Sequence, residues 1–238
     1  MDEHKLRNFK LLNKEKISIY INDKIFEPNL TTSLLLEGCK KKIKKNNQIL
    51  DLGCGSGIIS NYFFKNKLIN KIYSSDISQE AVNCAIYNAK YLNADFDIRL
   101  GALIEPWRDK KFDIIINDIS GISTEVSSLT KWFNSAPNES GVDGISFTLK
   151  ILEKYKTHLN EQGKLIFPII GLSNKEKIIQ FMQKNSINYE LLISKDWPLP
   201  NEFNVHKKLL KDLKEKNIIN YNEKFDLLIV KTEIFCCS

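Results

Sequence analysis

The residues best suited to chemistry in this chain lie in a glycine-rich turn that follows a short apolar segment. Residues Ile49–Leu52 have the pattern of a buried strand, and a turn with three glycines separates them from an apolar helix that begins near Ile58. Glycine allows positive φ and lets a ligand lie close to the backbone. The third glycine comes one residue too early for the G-x-G-x-x-G dinucleotide pattern. The turn therefore predicts a nucleoside site of another kind.

An acid stands directly before this turn. Asp51 precedes Gly53, close to the place where the pyrophosphate of a dinucleotide would lie. Anions prefer a helix N-terminus without a neighbouring carboxylate, so an acid here favours a ligand with positive charge. S-adenosylmethionine meets this requirement, because it carries an ammonium and a sulfonium group and no phosphate. We therefore expect S-adenosylmethionine to be the cofactor.

A second acid ends the next apolar segment. Asp76 stands nineteen residues beyond Gly57, at the end of a short run that begins with Ile72. An acid at about 20 residues past the glycines is well placed to bind ribose hydroxyls. Both candidate cofactors contain ribose, so Asp76 indicates a nucleoside without choosing between them.

Strand and helix patterns alternate from residue 49 onward. Strands are predicted at 49–52, 72–75, 96–100, 112–116, 164–169, 189–193 and 225–234, and helices at 57–65, 79–92, 145–159, 174–185 and 203–216. The alternation predicts an α/β fold with a doubly wound, mostly parallel, seven-stranded sheet. Ligands of such sheets bind beyond the carboxyl ends of the strands, where the strand order reverses. We assign residues 46–238 to this domain and residues 1–45 to an N-terminal extension.

The extension is expected to contain an arm, a hairpin and a helix. Residues 1–16 favour a polar helix or arm, and residues 17–26 alternate as in a small hairpin that turns at Asn22 and Asp23. A helix is predicted to follow, capped at Thr31 or Thr32.

Composition excludes several classes of protein. The net charge is +6, 42% of the residues are hydrophobic, and 27% are charged, as in ordinary globular domains. We expect no membrane span, because no apolar run approaches ~20 residues, and no signal peptide. Five cysteines without a C-x-x-C pair predict neither a disulfide framework nor a metal site, and a cytoplasmic location is expected. The lysine-rich run at residues 40–45 is interpreted as a solvated helix end, with a phosphate-binding patch as the alternative.

The residues 51–57 and 75–78 together resemble the glycine turn and second acid of the class I S-adenosylmethionine-dependent methyltransferases. A longer part of the chain, roughly residues 17–171, is similar to the release-factor glutamine methyltransferases. The resemblance implies an enzyme whose last strand runs antiparallel at a sheet edge. It also implies cofactor contacts from Thr32, Asp51, Gly53, Cys54, Gly55, Gly57, Asp76, Ile77, Ala102, Leu103 and Asn117.

The acceptor motif departs from that family. Where the family has Asn-Pro-Pro-Tyr, this chain has Asn117, Asp118, Ile119 and Ser120. The resemblance implies that Asn117 accepts a hydrogen bond from the substrate nitrogen. Asp118, when ionised, would bind a cationic amine and accept the proton released on methylation. We therefore predict that Asn117 and Asp118 are catalytic, with an oxygen acceptor or a turn-capping role for Asp118 as alternatives.

The predicted function is methylation of a nitrogen atom in a small-molecule amine or a protein side chain. An RNA base methyltransferase and a non-catalytic cofactor-binding subunit are the alternatives, nucleic acid being the less favoured partner. Trp132 and Phe133 are interpreted either as the wall of the substrate pocket, in front of a flap at 134–144, or as core residues. Trp107 is expected to cover the adenine edge or to pack in the core. Residues 195–200 are expected to form a rigid connector, with the border of the substrate entrance as the alternative.

Overall fold

A computed structural model describes residues 4–69, 71–119, 121–130, 132–133 and 138–238. Three features of the sequence predictions lie partly outside the described residues: residues 1–3 of the arm, Ser120 of the acceptor motif, and residues 134–137 of the flap predicted at 134–144.

The elements alternate as the sequence predicts. The strands are β1 Lys5–Lys10, β2 Lys16–Ile21, β3 Ile49–Leu52, β4 Ile72–Asp76, β5 Phe96–Leu100, β6 Phe112–Asn117, β7 Leu159–Ile170, β8 Tyr189–Pro198, β9 Asn222–Lys224 and β10 Leu227–Cys237. The helices are α1 Leu30–Lys40, α2 Ile58–Lys65, α3 Gln79–Tyr91, α4 Thr124–Ser127, α5 Ser146–Lys154, α6 Lys175–Lys184 and α7 Lys207–Glu215. Short 3₁₀ turns at Tyr155–His158 and Asn201–His206 occupy the end of one predicted helix and the start of another.

The central sheet has the order β5-β4-β3-β6-β7-β10-β8, and the short β9 pairs with β10. The five strands from β5 to β7 are parallel to one another. The predicted doubly wound α/β fold is confirmed. The strand order reverses between β3 and β6, so the carboxyl ends of these two strands flank the position where such sheets bind ligands.

The prediction that the last strand lies at an edge is wrong. Strand β10 runs antiparallel to both of its neighbours, β7 and β8. Residues Thr232–Cys237 are buried without a break, which requires cover on both faces and pairing on both sides. Strand β8 is mostly exposed and carries charges, so it takes the edge instead. Residues 195–198 of the predicted connector belong to this edge strand.

The extension also differs from its prediction. Residues 5–10 form strand β1 rather than a helix, and β1 pairs with β2. The predicted return strand at 24–26 does not form, because the amide of Ile25 closes a turn onto the carbonyl of Asn22. The other edge of β2 is bound by the side chain of Asn88 in α3. Its Oδ1 accepts from the amide of Tyr20, and its Nδ2 donates to the carbonyl of the same residue, both at 2.8 Å.

Helix α1 connects the extension with the sheet. Asn29, and not the predicted Thr31 or Thr32, caps it: Asn29 Oδ1 accepts from the amide of Thr31 at 2.8 Å. Gly38 permits close packing on the sheet, since a Cβ there would lie 2.7 Å from Cγ2 of Ile234 in β10. This packing fixes the N-terminal end of α1 beside the tips of β3 and β6.

The lysine-rich run lies at the C-terminal end of α1. The Nζ atom of Lys41 donates to the carbonyl of Leu192 at 2.5 Å, and the ammonium of Lys42 lies 2.7 Å from the carboxylate of Glu190. These contacts support the interpretation as a helix end. Among the described residues, no helix combines the length and the apolar character that crossing a bilayer requires.

We predict that Asn88→Ala will destabilise the fold. The substitution removes the bonds to Tyr20 and also the 3.1 Å bond from Nδ2 to the carbonyl of Ser56 in the glycine turn. Loss of partners for buried polar groups should lower the free energy of unfolding by about 1–3 kcal/mol. Urea unfolding measures this change. Asn83→Ala, at an exposed position of the same helix, is the control; equal midpoints for the two variants would contradict the prediction.

Candidate functional site

A cavity opens at the carboxyl ends of the parallel strands, at the point where the strand order reverses. One end is formed by the glycine turn after β3 and by the loops that follow β4 and β5. The other end is formed by the segment after β6, the start of α1, the start of α5 and the end of β7. We call the part of the cavity at the glycine turn and the loops after β4 and β5 the first compartment, and the part at the other end the second compartment.

The glycine turn presents its backbone to the cavity. Gly53, Gly55 and Gly57 all have positive φ, at 70°, 53° and 77°. A Cβ at Gly53 would lie 2.6 Å from the side chain of Ile119, so the turn packs tightly against the end of β6. A Cβ at Gly55 would meet no atom within 4 Å. The position above Gly55 is therefore open, as a ligand that lies against the turn requires.

Asp76 binds the turn from the neighbouring strand. Its Oδ2 accepts from the amide of Gly55, and its Oδ1 accepts from the amide of Ser78, each at 2.9 Å. The residue also lines the cavity. Burial raises the pKa of Asp76, although these backbone donors oppose the shift. The carboxylate therefore fixes the turn and contributes negative charge to the cavity wall.

Asp51 lies behind the turn and does not line the cavity. It is fully buried, and its Oδ2 accepts from the hydroxyl of Ser60 at 2.7 Å, while its Oδ1 has no hydrogen-bond partner among the described residues. Burial raises the pKa of Asp51 to about 6. Gly57 and Asn117 also lie outside the lining. Contacts of these three residues with the cofactor stay a prediction.

Asn117 has a local partner. Its Oδ1 accepts from the amide of Ile119 at 3.1 Å, and the residue is buried. Asn117 thus stabilises the turn after β6. Turn capping was the alternative role predicted for Asp118. Use of Asn117 as an acceptor for a substrate would require its bond to Ile119 to open.

Asp118 lies in the cavity, opposite the start of α1. Its Oδ2 accepts from the hydroxyl of Thr32 at 3.0 Å, and both residues line the cavity. Burial raises the pKa of Asp118 to about 7, assisted by the negative charge of Asp51 and opposed by the Thr32 hydroxyl. A carboxyl group with this pKa can give up or accept a proton near neutral pH.

The remaining candidates for cofactor contact, Cys54, Ile77, Ala102 and Leu103, all line the cavity. Ile77 is 59% exposed, which is unusual for a large apolar side chain that follows a buried strand. Leu103 stands across from it in the loop after β5, with a positive φ of 49°. These two side chains give the loops apolar surfaces that suit the faces of a purine ring. Trp107 does not line the cavity; it is 1% exposed and packs in the core.

Aromatic residues of the second compartment were only partly predicted. Trp132 and Phe133 line the cavity, in agreement with the interpretation as a pocket wall, and Phe133 also packs in a buried cluster. Phe147 of α5 and Phe26 before α1 also line the cavity, and neither was predicted as a pocket residue. Neither residue stands in a pattern that indicates a pocket, because only the tertiary packing of α1 and α5 brings them to β6.

The residues of the first compartment fit S-adenosylmethionine. The cofactor can lie against the backbone at the open position above Gly55, and Asp76 can accept hydrogen bonds from its ribose hydroxyls. The first turn of α1 contains no acid. Thr31 in that turn lines the cavity, and its buried hydroxyl has no hydrogen-bond partner in the part of the chain that the structure describes. Such a helix N-terminus can hold the carboxylate of the methionine part.

Comparisons with known proteins point to one family. Residues 22–119 match the family model "Methyltransferase small domain". The release factor glutamine methyltransferase of Bacillus cereus is 26% identical over 182 residues, which are 70% of this chain and 63% of that protein. The ribosomal protein L11 methyltransferase of Lactobacillus johnsonii is 28% identical over 158 residues, 66% of this chain and 42% of that protein. The chain thus spans less than two thirds of the length of these relatives.

Solved structures share the fold. The ribosomal protein L11 methylase of Lactobacillus delbrueckii subsp. bulgaricus superposes with a TM-score of 0.55 at 22% identity, covering 88% of this chain and 80% of that one. The Thermus thermophilus 16S rRNA N2 G1207 methyltransferase, solved with S-adenosylmethionine and guanosine, has a TM-score of 0.55 at 11% identity and covers 96% of this chain and 50% of that one. The fold, the small-domain match over residues 22–119 and these relatives agree: the chain is similar to the class I S-adenosylmethionine-dependent methyltransferases.

Proposed function

We propose that this protein transfers the methyl group of S-adenosylmethionine to a nitrogen atom of a small-molecule amine or a protein side chain. The observation that carries the proposal is the position of Asp118. It lies in the same cavity as the glycine turn, is bound by Thr32, and has a pKa of about 7 because of its burial. An acid of this kind is suited to bind an amine and accept its proton.

The cofactor would be held by residues of the first compartment and by the adjoining start of α1. Asp76 would bind the ribose, Ile77 and Leu103 would contact the base, and Thr31 would receive the carboxylate at the N-terminus of α1. The backbone of residues 53–57 and of Ala102 would complete the contact surface. Asp51 would act through its charge beneath the turn, since a buried anion attracts a cationic ligand across a short distance.

When bound, S-adenosylmethionine supplies a methyl group already activated by the sulfonium. The protein has to align the acceptor nitrogen and remove its proton. Asp118 would hold the nitrogen and accept this proton, and Thr32 would keep the carboxylate in place. Asn117 is the second candidate for alignment, in a state in which its bond to Ile119 has opened.

The names of the relatives support a methyl acceptor in a protein. The release factor glutamine methyltransferases and the L11 methyltransferases are named for protein substrates. RNA methyltransferases among the structural neighbours share the fold at less than 25% identity and carry no argument about substrate. The lysines of the 40–45 run with described contacts, Lys40, Lys41 and Lys42, bind groups of this chain. An RNA substrate is therefore less favoured.

The role of Asp76 in cofactor binding can be measured directly. Asp76→Ala removes an acceptor for ribose hydroxyls and the bond that holds Gly55, so we expect the Kd for S-adenosylhomocysteine to rise by roughly tenfold to hundredfold. Isothermal titration calorimetry gives this value. Asp95→Ala is the matched control, since the side chain of Asp95 is 92% exposed. An unchanged Kd in Asp76→Ala would remove Asp76 from the site.

The charge of Asp118 should act on the sulfonium. S-adenosylhomocysteine lacks this charge, so the ratio of its Kd to that of S-adenosylmethionine reports the attraction. Because the pKa of Asp118 is about 7, the ratio should rise several-fold between pH 6 and pH 8 as the carboxylate ionises. In Asp118→Asn the rise should be much smaller, because only the remaining ionisation of Asp51, whose pKa is about 6, contributes to it. The full rise in that variant would assign the effect to another group.

Asp51 should reduce stability at neutral pH. Its pKa is raised from 3.8 to about 6, so the folded state binds the proton more tightly than the unfolded chain. Its contribution to stability is therefore most favourable below about pH 4 and is lost as pH rises to about 6. Asp51→Asn should remove a decline of roughly 2–3 kcal/mol in the free energy of unfolding across this range.

Urea unfolding at pH 4, 5, 6 and 7 tests the stability effect of Asp51, with Asp95→Asn as the control. The same decline in Asp51→Asn as in the unsubstituted protein would contradict the assignment. A loss of affinity for S-adenosylmethionine in the folded variant would support the proposed charge effect on the cofactor.

A further inference from the structure

The second compartment is walled by aromatic rings. Phe26, Trp132, Phe133 and Phe147 line the same cavity as Asp118. The rings of Phe26 and Phe133 contact each other, with centroids 5.5 Å apart. A polar methyl-accepting molecule would lose its hydration at such a wall and form few hydrogen bonds in exchange. The compartment therefore favours an acceptor with an apolar body.

The ring of Trp132 is held in position by its neighbours. Its centroid lies 5.8 Å from that of Trp197 and 5.4 Å from that of Phe203. The indole of Trp197 is fixed in turn, because its Nε1 donates to the hydroxyl of Thr232 at 2.8 Å. The aromatic wall is thus a preformed surface, and ordering it would cost little on binding.

The carboxylate of Asp118 adds a negative charge to this compartment, which selects among apolar molecules by their charge. The faces of aromatic rings attract cations, and a carboxylate beside them adds an ion pair. A neutral alcohol has no positive charge, so it would form neither the ion pair nor the full attraction to the ring faces. A carboxylate would be repelled by ionised Asp118. We propose that the methyl acceptor is a hydrophobic amine, bound in its ammonium form by Asp118 and the aromatic wall; this inference rests on the function proposed above.

The proton balance is consistent with this acceptor. The ammonium nitrogen releases one proton to ionised Asp118, and its freed electron pair forms the new carbon–nitrogen bond. The bond between the methyl carbon and the cofactor sulfur breaks with its electron pair left on sulfur. The products are S-adenosylhomocysteine and the methylated amine, which carries the positive charge, with the first proton on Asp118.

A matched series of acceptors tests the inference with the full chain. The probes are 2-phenylethylamine, 2-phenylethanol, 3-phenylpropionate and ethanolamine, each supplied with S-adenosylmethionine labelled in its methyl group. We expect kcat/KM for 2-phenylethylamine to exceed that for each of the others at least tenfold. An equal or higher value for the alcohol, or for the polar ethanolamine, would overturn the inference.

Binding measurements separate the two proposals. Calorimetry first tests whether S-adenosylmethionine binds, and then whether 2-phenylethylamine binds to the complex with S-adenosylhomocysteine. Failure of the cofactor to bind would overturn the proposed function itself. If the cofactor binds and a glutamine peptide is methylated while 2-phenylethylamine neither binds nor reacts, only the inference about the hydrophobic amine is overturned. Methylation of an RNA instead would also overturn the acceptor class of the proposed function.

Two substitutions test the groups that would recognise the ammonium. Asp118→Asn should weaken binding of 2-phenylethylamine at least tenfold and leave 2-phenylethanol unaffected. Phe147→Leu keeps an apolar side chain but removes the ring face, so binding of the amine should weaken about twofold to fivefold. Phe225→Leu is the control, because the ring of Phe225 is 96% exposed and outside the cavity lining. Equal losses for amine and alcohol in Phe147→Leu would overturn the role of the ring.

Discussion

The hydrogen bond between Asp76 and the amide of Gly55 is the interaction on which the geometry of this site depends. It joins the turn after β3 to the tip of β4 and holds the turn in its positive-φ conformation. The same carboxylate remains at the cavity wall. Asp51 lies beneath the turn and Asp118 on its far side, so negative charge surrounds a backbone surface that is open to a ligand. Such a site favours a cationic nucleoside over a dinucleotide, whose phosphates would be repelled.

The N-terminal extension packs on the sheet and also contributes residues to the cavity. Helix α1 packs closely on β10 through Gly38 and brings Thr31 and Thr32 to the cavity. Asn88 ties the hairpin edge to α3 and to the carbonyl of Ser56. Because these contacts reach the glycine turn, folding of the extension and shaping of the cofactor site are coupled. The family match, which begins at residue 22, includes part of this extension.

The parts of the site that the sequence predicts are those with a local physical cause. Glycines at Gly53 and Gly55 are needed where φ is positive, and an acid at Asp76 follows from its place at a strand tip. The contributions that depend on tertiary packing could not be predicted. Phe147 reaches the cavity only because α5 packs beside β6, and the depth of Asp51 depends on Ser60 in the next helix.

In the fold, too, the features with a local cause were predicted, and those that depend on tertiary packing were not. Alternating strand and helix patterns predict the parallel strands well, because most of these strands are short apolar runs with a helix before the next strand. The position of β10 in the sheet depends on its choice of neighbours, which its own residues do not encode. The strand β1 was missed because its polar sequence resembles a solvated arm, and only pairing with β2 makes it a strand.

The central claim is that Asp118 shares one cavity with a bound sulfonium. Carbon-13 NMR of the side-chain carboxyl group of Asp118 tests it most directly, by titration of the free protein and of its complexes with S-adenosylmethionine and S-adenosylhomocysteine. We predict that the pKa of Asp118 is near 7 in the free protein, decreases clearly with bound S-adenosylmethionine, and changes much less with bound S-adenosylhomocysteine. The same pKa in both complexes would contradict it.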